Sequence, residues 1–340
     1  MEVINVKTYN KEYSIIKEEA LNFLNNYVNI SKFSKVVILT DENLIKNGWL
    51  KKLPFDFIQI PFGEINKSLE TVVKIWKSMN DFGMDRKSLL VNLGGGVVCD
   101  LGGFCASTYM RGIEFLQIPT TLLSQVDASV GGKTGFDFNG AKNIIGTFAE
   151  PYKVIIDSST LKTLPKREYV SGMAEVIKYG IIYDKEFFEY LESKNISDDY
   201  IIKKSCEIKA DVVGKDFKET GIRKILNFGH TIGHAIESLS LKTDKPLLHG
   251  EAVAIGMLAE AYISKMSDND LKRIKNILVS YNLPISYKGN LNEIYSMLFK
   301  DKKNIAGKIK FVLANEIGSC DFDIEIEEDI IKSAIKNILL

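Results

Sequence analysis

Between residues 35 and 159 the chain carries five short apolar runs, KVVILTDEN, FDFIQIPFGE, SLLVNLGGG, EFLQIPTT and KVIIDSS, each ending in a polar or glycine-rich turn. Runs of this length with turn residues on the carboxyl side are strands that feed loops at one end of a mostly parallel sheet, so the first half is α/β. From about Leu164 the period lengthens. REYVSGMAEVIKYGII, KEFFEYLES, DYIIKKSCEIKADVVG, GHTIGHAIESL, EAVAIGMLAEAYISKM and DLKRIKNILVSY repeat their apolar residues at helical spacing, which predicts an all-α second half. A chain of 340 residues exceeds what one core usually supports, and no low-complexity linker interrupts it. Two packed domains with a tight hinge near Ser158 to Pro165 are expected.

The 44 basic and 44 acidic residues cancel and are spread along the chain, which argues against a nucleic-acid partner or an anionic membrane. The longest apolar stretch, AVAIGMLAEAYI, is too short for the ~20 residues of a membrane span, and the first residues lack an apolar signal core. Cys99, Cys105, Cys206 and Cys320 are far apart without a CxxC pair, as suits reduced thiols. A soluble cytoplasmic protein is expected.

Four motifs carry chemistry. VNLGGGVVCDLGGF joins a strand to a helix, and its glycines let backbone amides approach a diphosphate at the helix amino end. It is not a full GxGxxG, because Cys99 stands at the third glycine, and a plain tight turn is the structural alternative. PFGEINKS supplies Glu64 and Lys67 at another strand end, suited to a ribose or phosphate there, with a plain solvated charge as the alternative for either. QVDASVGGKTGFDFNGAKNIIG sets Asp127, Lys133, Lys142 and Asn143 among glycines, a composition suited to phosphate, and Arg111 in YMRG is a further anion ligand or a surface ion pair.

The fourth is NFGHTIGHA followed by HGEAVAIGM, a window that holds all three histidines of the chain. His230 and His234 lie one helical turn apart, as in HxxxH zinc pairs, and a helical hairpin returns His249 to them. Catalytic zinc takes three protein ligands, and Glu175, in the apolar stretch SGMAEVIKYG, is a carboxylate that needs a partner; Lys178 shares its face and also reads as an ordinary ion pair.

Taken together, GGGVVCDLGGF, IPTTLLSQVDASVGGKTGFDFNGAKNIIG, GMAEVIKYG, RKILNFGHTIGH and HGEAVAIGM, in this order over residues 60 to 260, resemble the 3-dehydroquinate synthases of the sugar-phosphate cyclase superfamily. The amino-terminal strands and DKKNIAGKIKFVL fit as well. The resemblance implies a Rossmann-like NAD-binding domain over 1–160, a helical metal- and substrate-binding domain over 161–340, an active site in the cleft between them, and a homodimer. It implies a lyase of the shikimate pathway, which serves aromatic amino acid synthesis. That enzyme turns the sugar phosphate 3-deoxy-D-arabino-heptulosonate 7-phosphate into 3-dehydroquinate and phosphate, by transient oxidation with NAD, elimination, reduction and aldol closure.

By the same resemblance Glu175, His230 and His249 hold Zn2+ or Co2+, while His234 and Glu219 move protons and Lys178 works beside them. Asp127, Lys209, Arg223 and Asn227 contact substrate, with Lys209 and Arg223 on its carboxylate. Lys133, Asn143 and Arg111 match the phosphate region, Arg111 reaching across a dimer interface, and Lys302 or Lys303 joins them. The NAD positions are Glu64, Lys67, Gly95, Gly96, Val97, Asp100, Thr120, Thr121, Lys142, Thr160, Leu161 and Thr163. Cys99 and Phe136-Asp137-Phe138 depart from the family pattern, as does a long spacing between His234 and His249. Alternatives are a 2-deoxy-scyllo-inosose or valiolone synthase, a metal-dependent glycerol or alcohol dehydrogenase, and a binding module without turnover. A substrate lacking a carboxylate would leave Lys209 and Arg223 without a task.

Overall fold

The computed structural model describes residues 2–26, 28, 32–139, 141–264, 266–299 and 309–340. Two compact units emerge: one comprises the chain up to Leu164 together with Lys209–Phe217, the other Pro165–Ile208 with Lys218–Leu340.

The first unit is built on a seven-stranded sheet. Its strands in chain order are β1 (Glu2–Lys7), β2 (Glu12–Lys17), β3 (Val36–Asp41), β4 (Asp56–Ile60), β5 (Leu89–Gly94), β6 (Glu114–Pro119) and, after the separate hairpin β7 (Lys133–Phe138) and β8 (Ala141–Phe148), β9 (Lys153–Ile156). The order across the sheet is β1-β2-β9-β6-β5-β3-β4, with β1 and β2 antiparallel and every other pairing parallel. Helices cover both faces, which explains why β3 and β5 read as unbroken apolar runs. Val37, Leu39 and Leu90 pack with α3 (Leu69–Asp81) and α4 (Gly96–Thr108), and Val36, Ile38, Leu89 and Val91 pack on the other side with α1 (Ala20–Asn26) and α2 (Glu42–Lys46). Between β3 and β5 the chain reverses its direction of travel across the sheet. In an open α/β sheet such a switch point opens a crevice at the carboxyl ends of the strands, and the turn Gly94-Gly95-Gly96 leaves β5 there. The five strands expected from sequence are all present, and β1–β2 and β7–β8 add two hairpins.

The second unit is helical: α5 (Lys166–Ile182), α6 (Lys185–Glu192), the first part of α7 (Asp198–Lys215), α8 (His230–Ser240), α9 (His249–Ile263), α10 (Asp268–Ser280), α11 (Leu291–Leu298) and α12 (Glu328–Asn337), with one hairpin of β10 (Lys310–Glu316) and β11 (Ser319–Glu325). The central helix α9 is apolar over most of its circumference and buried, so it has no broad polar face to give to solvent. Among the described residues no helix is long and apolar enough to cross a membrane.

Candidate metal centre and nucleotide turn

In the second unit three helices deliver one donor each. Glu175 lies in the middle of α5 with no exposed surface. His249 opens α9, whose start is locked onto α5: Gly250 N–H donates to Ser171 Oγ at 3.0 Å, and a Cβ on Gly250 would stand 1.9 Å from Ser171 O. His230 opens α8 directly after Gly229, whose φ of 79° is the left-handed turn glycine adopts without cost. The result sets Glu175 Oε1 3.5 Å from His230 Nε2 and 3.6 Å from His249 Nε2. Zinc at ~2.0–2.1 Å from each donor spaces tetrahedral ligands about 3.4 Å apart. The three groups therefore suit one such ion with small adjustments. The tautomers agree: His230 Nδ1 lies 3.1 Å from Phe228 O and His249 Nδ1 3.5 Å from Glu237 Oε2, so each Nδ1–H has an acceptor and each Nε2 lone pair is left for a metal. Burial opposes a charge on His249, but Glu175 and Glu237 outweigh it and lift its pKa to about 10, so a metal ion binding at Nε2 would displace a proton from the ring.

His234 is one turn along α8, its ring 5.2 Å from that of His230 and 5.9 Å from that of His249. With Glu237 and His249 it forms a second set of donors within 4.8 Å of one another. Lys178 is buried next to Glu175, contacts its carboxylate and donates to Leu226 O at 2.7 Å. That bond pins the turn Ile222–Asn227, which holds Arg223 buried and lets Asn227 Nδ2 donate to Glu219 Oε1 at 2.9 Å.

In the first unit, Gly95 precedes α4 without a side-chain cap, so the first amides of a thirteen-residue helix, from Gly96 and Val97, face its open end. Close packing needs the glycines here: a Cβ on Gly95 would stand 3.1 Å from Thr121 Cγ2, and one on Gly102 1.9 Å from Asn92 Oδ1. Thr120 N–H donates to Gly94 O, and Gln125 Nε2 ties Pro119 O to Asp157 O and Thr160 Oγ1, which brings the 120–121 and 158–163 turns to one edge. Leu161 is buried in the latter turn, and Thr163 Oγ1 donates to Thr160 O. Lys67 is buried and donates to Asp100 Oδ2 and Asn143 Oδ1 at 2.5 Å each. Burial alone would depress its pKa, but Asp100 and Glu64 hold it above the usual lysine value. Lys142 lies 3.7 Å from Glu64. Lys209 donates to Asp127 O at 2.5 Å and Oδ1 at 2.6 Å, and Asp127 sits in a π-turn, Ser124–Ala128. Lys133 is exposed at the start of β7.

Residues 57–171 match the model of the 3-dehydroquinate synthase N-terminal family and residues 172–304 that of the 3-dehydroquinate synthase C-terminal family. The chain is 45% identical over 339 residues to the 3-dehydroquinate synthase of Thermodesulfovibrio yellowstonii, covering 95% of this chain and 93% of the relative. The chain belongs to the 3-dehydroquinate synthase family. Among solved structures it is similar to a 2-epi-5-epi-valiolone synthase from Streptomyces hygroscopicus subsp. jinggangensis with NAD+ and Zn2+ bound (TM-score 0.85, 25% identity, 96% of each chain). Its fold is also that of a 2-deoxy-scyllo-inosose synthase complexed with carbaglucose-6-phosphate, NAD+ and Co2+ (TM-score 0.88, 24% identity, 99% of this chain and 100% of that one).

Within this 3-dehydroquinate synthase family fold the sequence-derived residues fall into clusters. Glu175, Lys178, Glu219, Arg223, Asn227, His230, His234 and His249 all belong to the second unit, whereas Lys209 belongs to the first with Asp127. Arg111 stands by itself: it follows Met110 in a left-handed turn (φ 69° and 50°), and its side chain makes no hydrogen bond or ion pair among the described residues. Lys302 and Lys303 lie outside the described residues. Cys99 is fully buried with its thiol pKa pushed up by burial, and Asp137 Oδ1 accepts the Asn143 N–H at 2.7 Å, which steadies Asn143 at φ 49°. The sequence reading passed over Gln125, Glu237 and Glu260. Glu237 had a signal, since it continues the face of His230 and His234; so did Glu260, a lone carboxylate in the apolar run of α9.

Proposed function

We propose that this chain is a lyase that converts 3-deoxy-D-arabino-heptulosonate 7-phosphate to 3-dehydroquinate and phosphate, the ring-forming step of the shikimate pathway. The observation that carries the reading is the buried Glu175 carboxylate facing two imidazole Nε2 atoms at 3.5 and 3.6 Å, in a chain of this family. Glu175, His230 and His249 would hold zinc or cobalt, which supplies a Lewis acid that lowers the pKa of a substrate hydroxyl. The Gly95–Val97 turn with Asp100, Lys67 and Lys142 would hold NAD, which would supply a hydride acceptor restored within each cycle.

The chain's own groups do the rest. Lys178 and Asn227 bind substrate oxygens beside the donors. Lys209 and Arg223 bind the substrate carboxylate, Arg223 through two parallel N–H bonds from a buried and already fixed turn. Lys133, Asn143 and Arg111 hold the phosphate where its own oxygen reaches the neighbouring C–H, so the leaving group takes that proton. His234 and Glu219 move protons at the ring oxygen and the ketone oxygen during ring opening and aldol closure. We also infer a cytoplasmic homodimer: Arg111, projected by its left-handed turn without an internal partner among the described residues, suits the phosphate region of a second copy, and the cysteines are free.

A phosphate-release assay on the heptulosonate phosphate tests this. Release is expected with NAD and zinc, stops with a chelator and returns on adding zinc; NAD below the enzyme concentration supports many turnovers per NAD. One product per NAD would overturn the cycle. Glucose 6-phosphate, which lacks a carboxylate, is expected to release no phosphate, and glycerol to give no NADH.

A further inference from the structure

Helices α8 and α9 run antiparallel at a separation set by glycine. A Cβ on Gly256 would stand 2.0 Å from Gly229 O and 2.7 Å from Gly233 N, and a Cβ on Gly233 would stand 3.1 Å from Val253 Cα. This contact fixes their register, so that the carboxyl half of each helix lies along the amino end of the other. Each amino end carries a histidine of the candidate metal centre, and each carboxyl half carries a buried acid. Glu237 of α8, 4% exposed, places Oε2 3.5 Å from Nδ1 of His249 on α9. Glu260 of α9, with no exposed surface, accepts the Gly229 N–H at 2.7 Å through Oε2 and the Ile232 N–H at 3.2 Å through Oε1. Those are amides at the amino end of α8, on either side of His230, where no side chain of α8 itself provides a cap.

Neither acid is there to fill the core. An apolar side chain would pack the same space without desolvating a charge. Their placement makes sense as orientation. A carboxylate that accepts from Nδ1 fixes the ring's tautomer and rotation and leaves Nε2 to bind. A carboxylate across an uncapped helix end satisfies two orphan amides and sits in the favourable potential of the helix dipole.

We propose that Glu237 and Glu260 are positioning residues of the metal site: each helix of the α8–α9 pair lends a buried carboxylate to the histidine-bearing end of the other. The inference rests on the metal reading above, and the test separates the two. Zinc is titrated into metal-free protein against a chromogenic chelator, for the parent chain, Glu175→Ala, Glu237→Ala, Glu237→Gln and Glu260→Gln. If Glu175→Ala binds zinc like the parent, the metal reading itself fails. With that control losing the site, Glu237→Ala is expected to bind roughly 10- to 100-fold more weakly. Glu237→Gln, which keeps an acceptor for Nδ1–H without the charge, recovers most of the affinity and shifts the cobalt absorption bands. Parent affinity in Glu237→Ala overturns the role of Glu237. Should that variant not fold, parent affinity together with an unshifted cobalt spectrum in the near-isosteric Gln variant does the same. Glu260→Gln presents a donor to one of two amides. Faster hydrogen exchange at Gly229 and Ile232 is expected together with a loss of zinc affinity; faster exchange with unchanged affinity makes Glu260 a helix cap alone and overturns its part.

Discussion

Lys67 shows what a single buried charge does in the first unit. Its ammonium, 4% exposed, meets Asp100 and Asn143, one residue from the nucleotide turn and one from the phosphate candidates. Replacing it by methionine leaves the Asp100 carboxylate, itself mostly buried, without its counter-charge. Breaking such a pair from one side costs about 3 kcal/mol or more. Urea midpoints are expected to show that loss in Lys67→Met and to recover most of it in Lys67→Met with Asp100→Asn; equal midpoints for the parent and the single variant would mean the pair contributes nothing. At this scale the sequence was informative about residue types and mute about partners. Lys67, Asp100 and Asn143 were each recognisable as chemically competent, yet their union depends on β7 and β8 folding back, and Asp137, on that hairpin, accepts the Asn143 amide. The histidine window was legible because three rare residues in one stretch are conspicuous. Glu237 shared the helical face of His230 and His234, but its role was not legible until the α8–α9 register brought it to His249.

Elements were legible where a period runs unbroken. The β3 and β5 runs announce themselves because helices cover both faces, and α5 through α10 follow helical spacing. The hairpin β7–β8 escaped because each strand carries a glycine that interrupts its pattern, and both glycines exist for contact: a Cβ on Gly135 would stand 2.5 Å from Ile145 O, and one on Gly146 2.3 Å from Thr134 O. Helix ends offer a sharper test. Asp184 caps α6 by accepting the Phe187 N–H at 2.9 Å and pairs with Lys204 at 2.7 Å. Burial pulls its pKa up, but Lys204 and the Phe187 amide outweigh that and hold it below the usual carboxylate value. A group with a depressed folded pKa adds stability that is complete above its unfolded pKa of about 3.9 and is lost as pH falls through the folded value. Asp184→Ala is therefore expected to cost about 1 kcal/mol near neutrality. Its deficit should shrink below about pH 4, read from denaturant midpoints across pH; a deficit that stays constant down to pH 2 would assign the effect to packing.

For the molecule as a whole, the α/β-then-helical order could be read from the change of period, whereas the membership of Lys209–Phe217 could not. That segment continues the helical pattern of α7 without a break, and it belongs to the first unit because of contacts made by Tyr9 and Phe148 with Phe217, and by the Gly214 backbone with Lys7, between residues far apart in sequence. The candidate ligand sites divide in the same way: every metal donor lies in the second unit, and every NAD candidate in the first. A ligand that binds only the folded form stabilises by RT ln(1 + [L]/Kd), about 2.7 kcal/mol at a hundredfold excess over Kd, and that free energy is felt first by the unit that holds it. In hydrogen exchange followed by mass spectrometry, zinc is thus expected to protect the segments of α5, α8 and α9, and NAD those of the β5–α4 turn and the 120–121 and 158–163 turns. Zinc protection concentrated at Gly95–Val97, with α8 and α9 unchanged, would overturn the assignment of the ion to Glu175, His230 and His249. Protection in both places with zinc alone would leave that assignment standing, since a ligand anchored in one unit also slows exchange wherever local unfolding of the two is coupled.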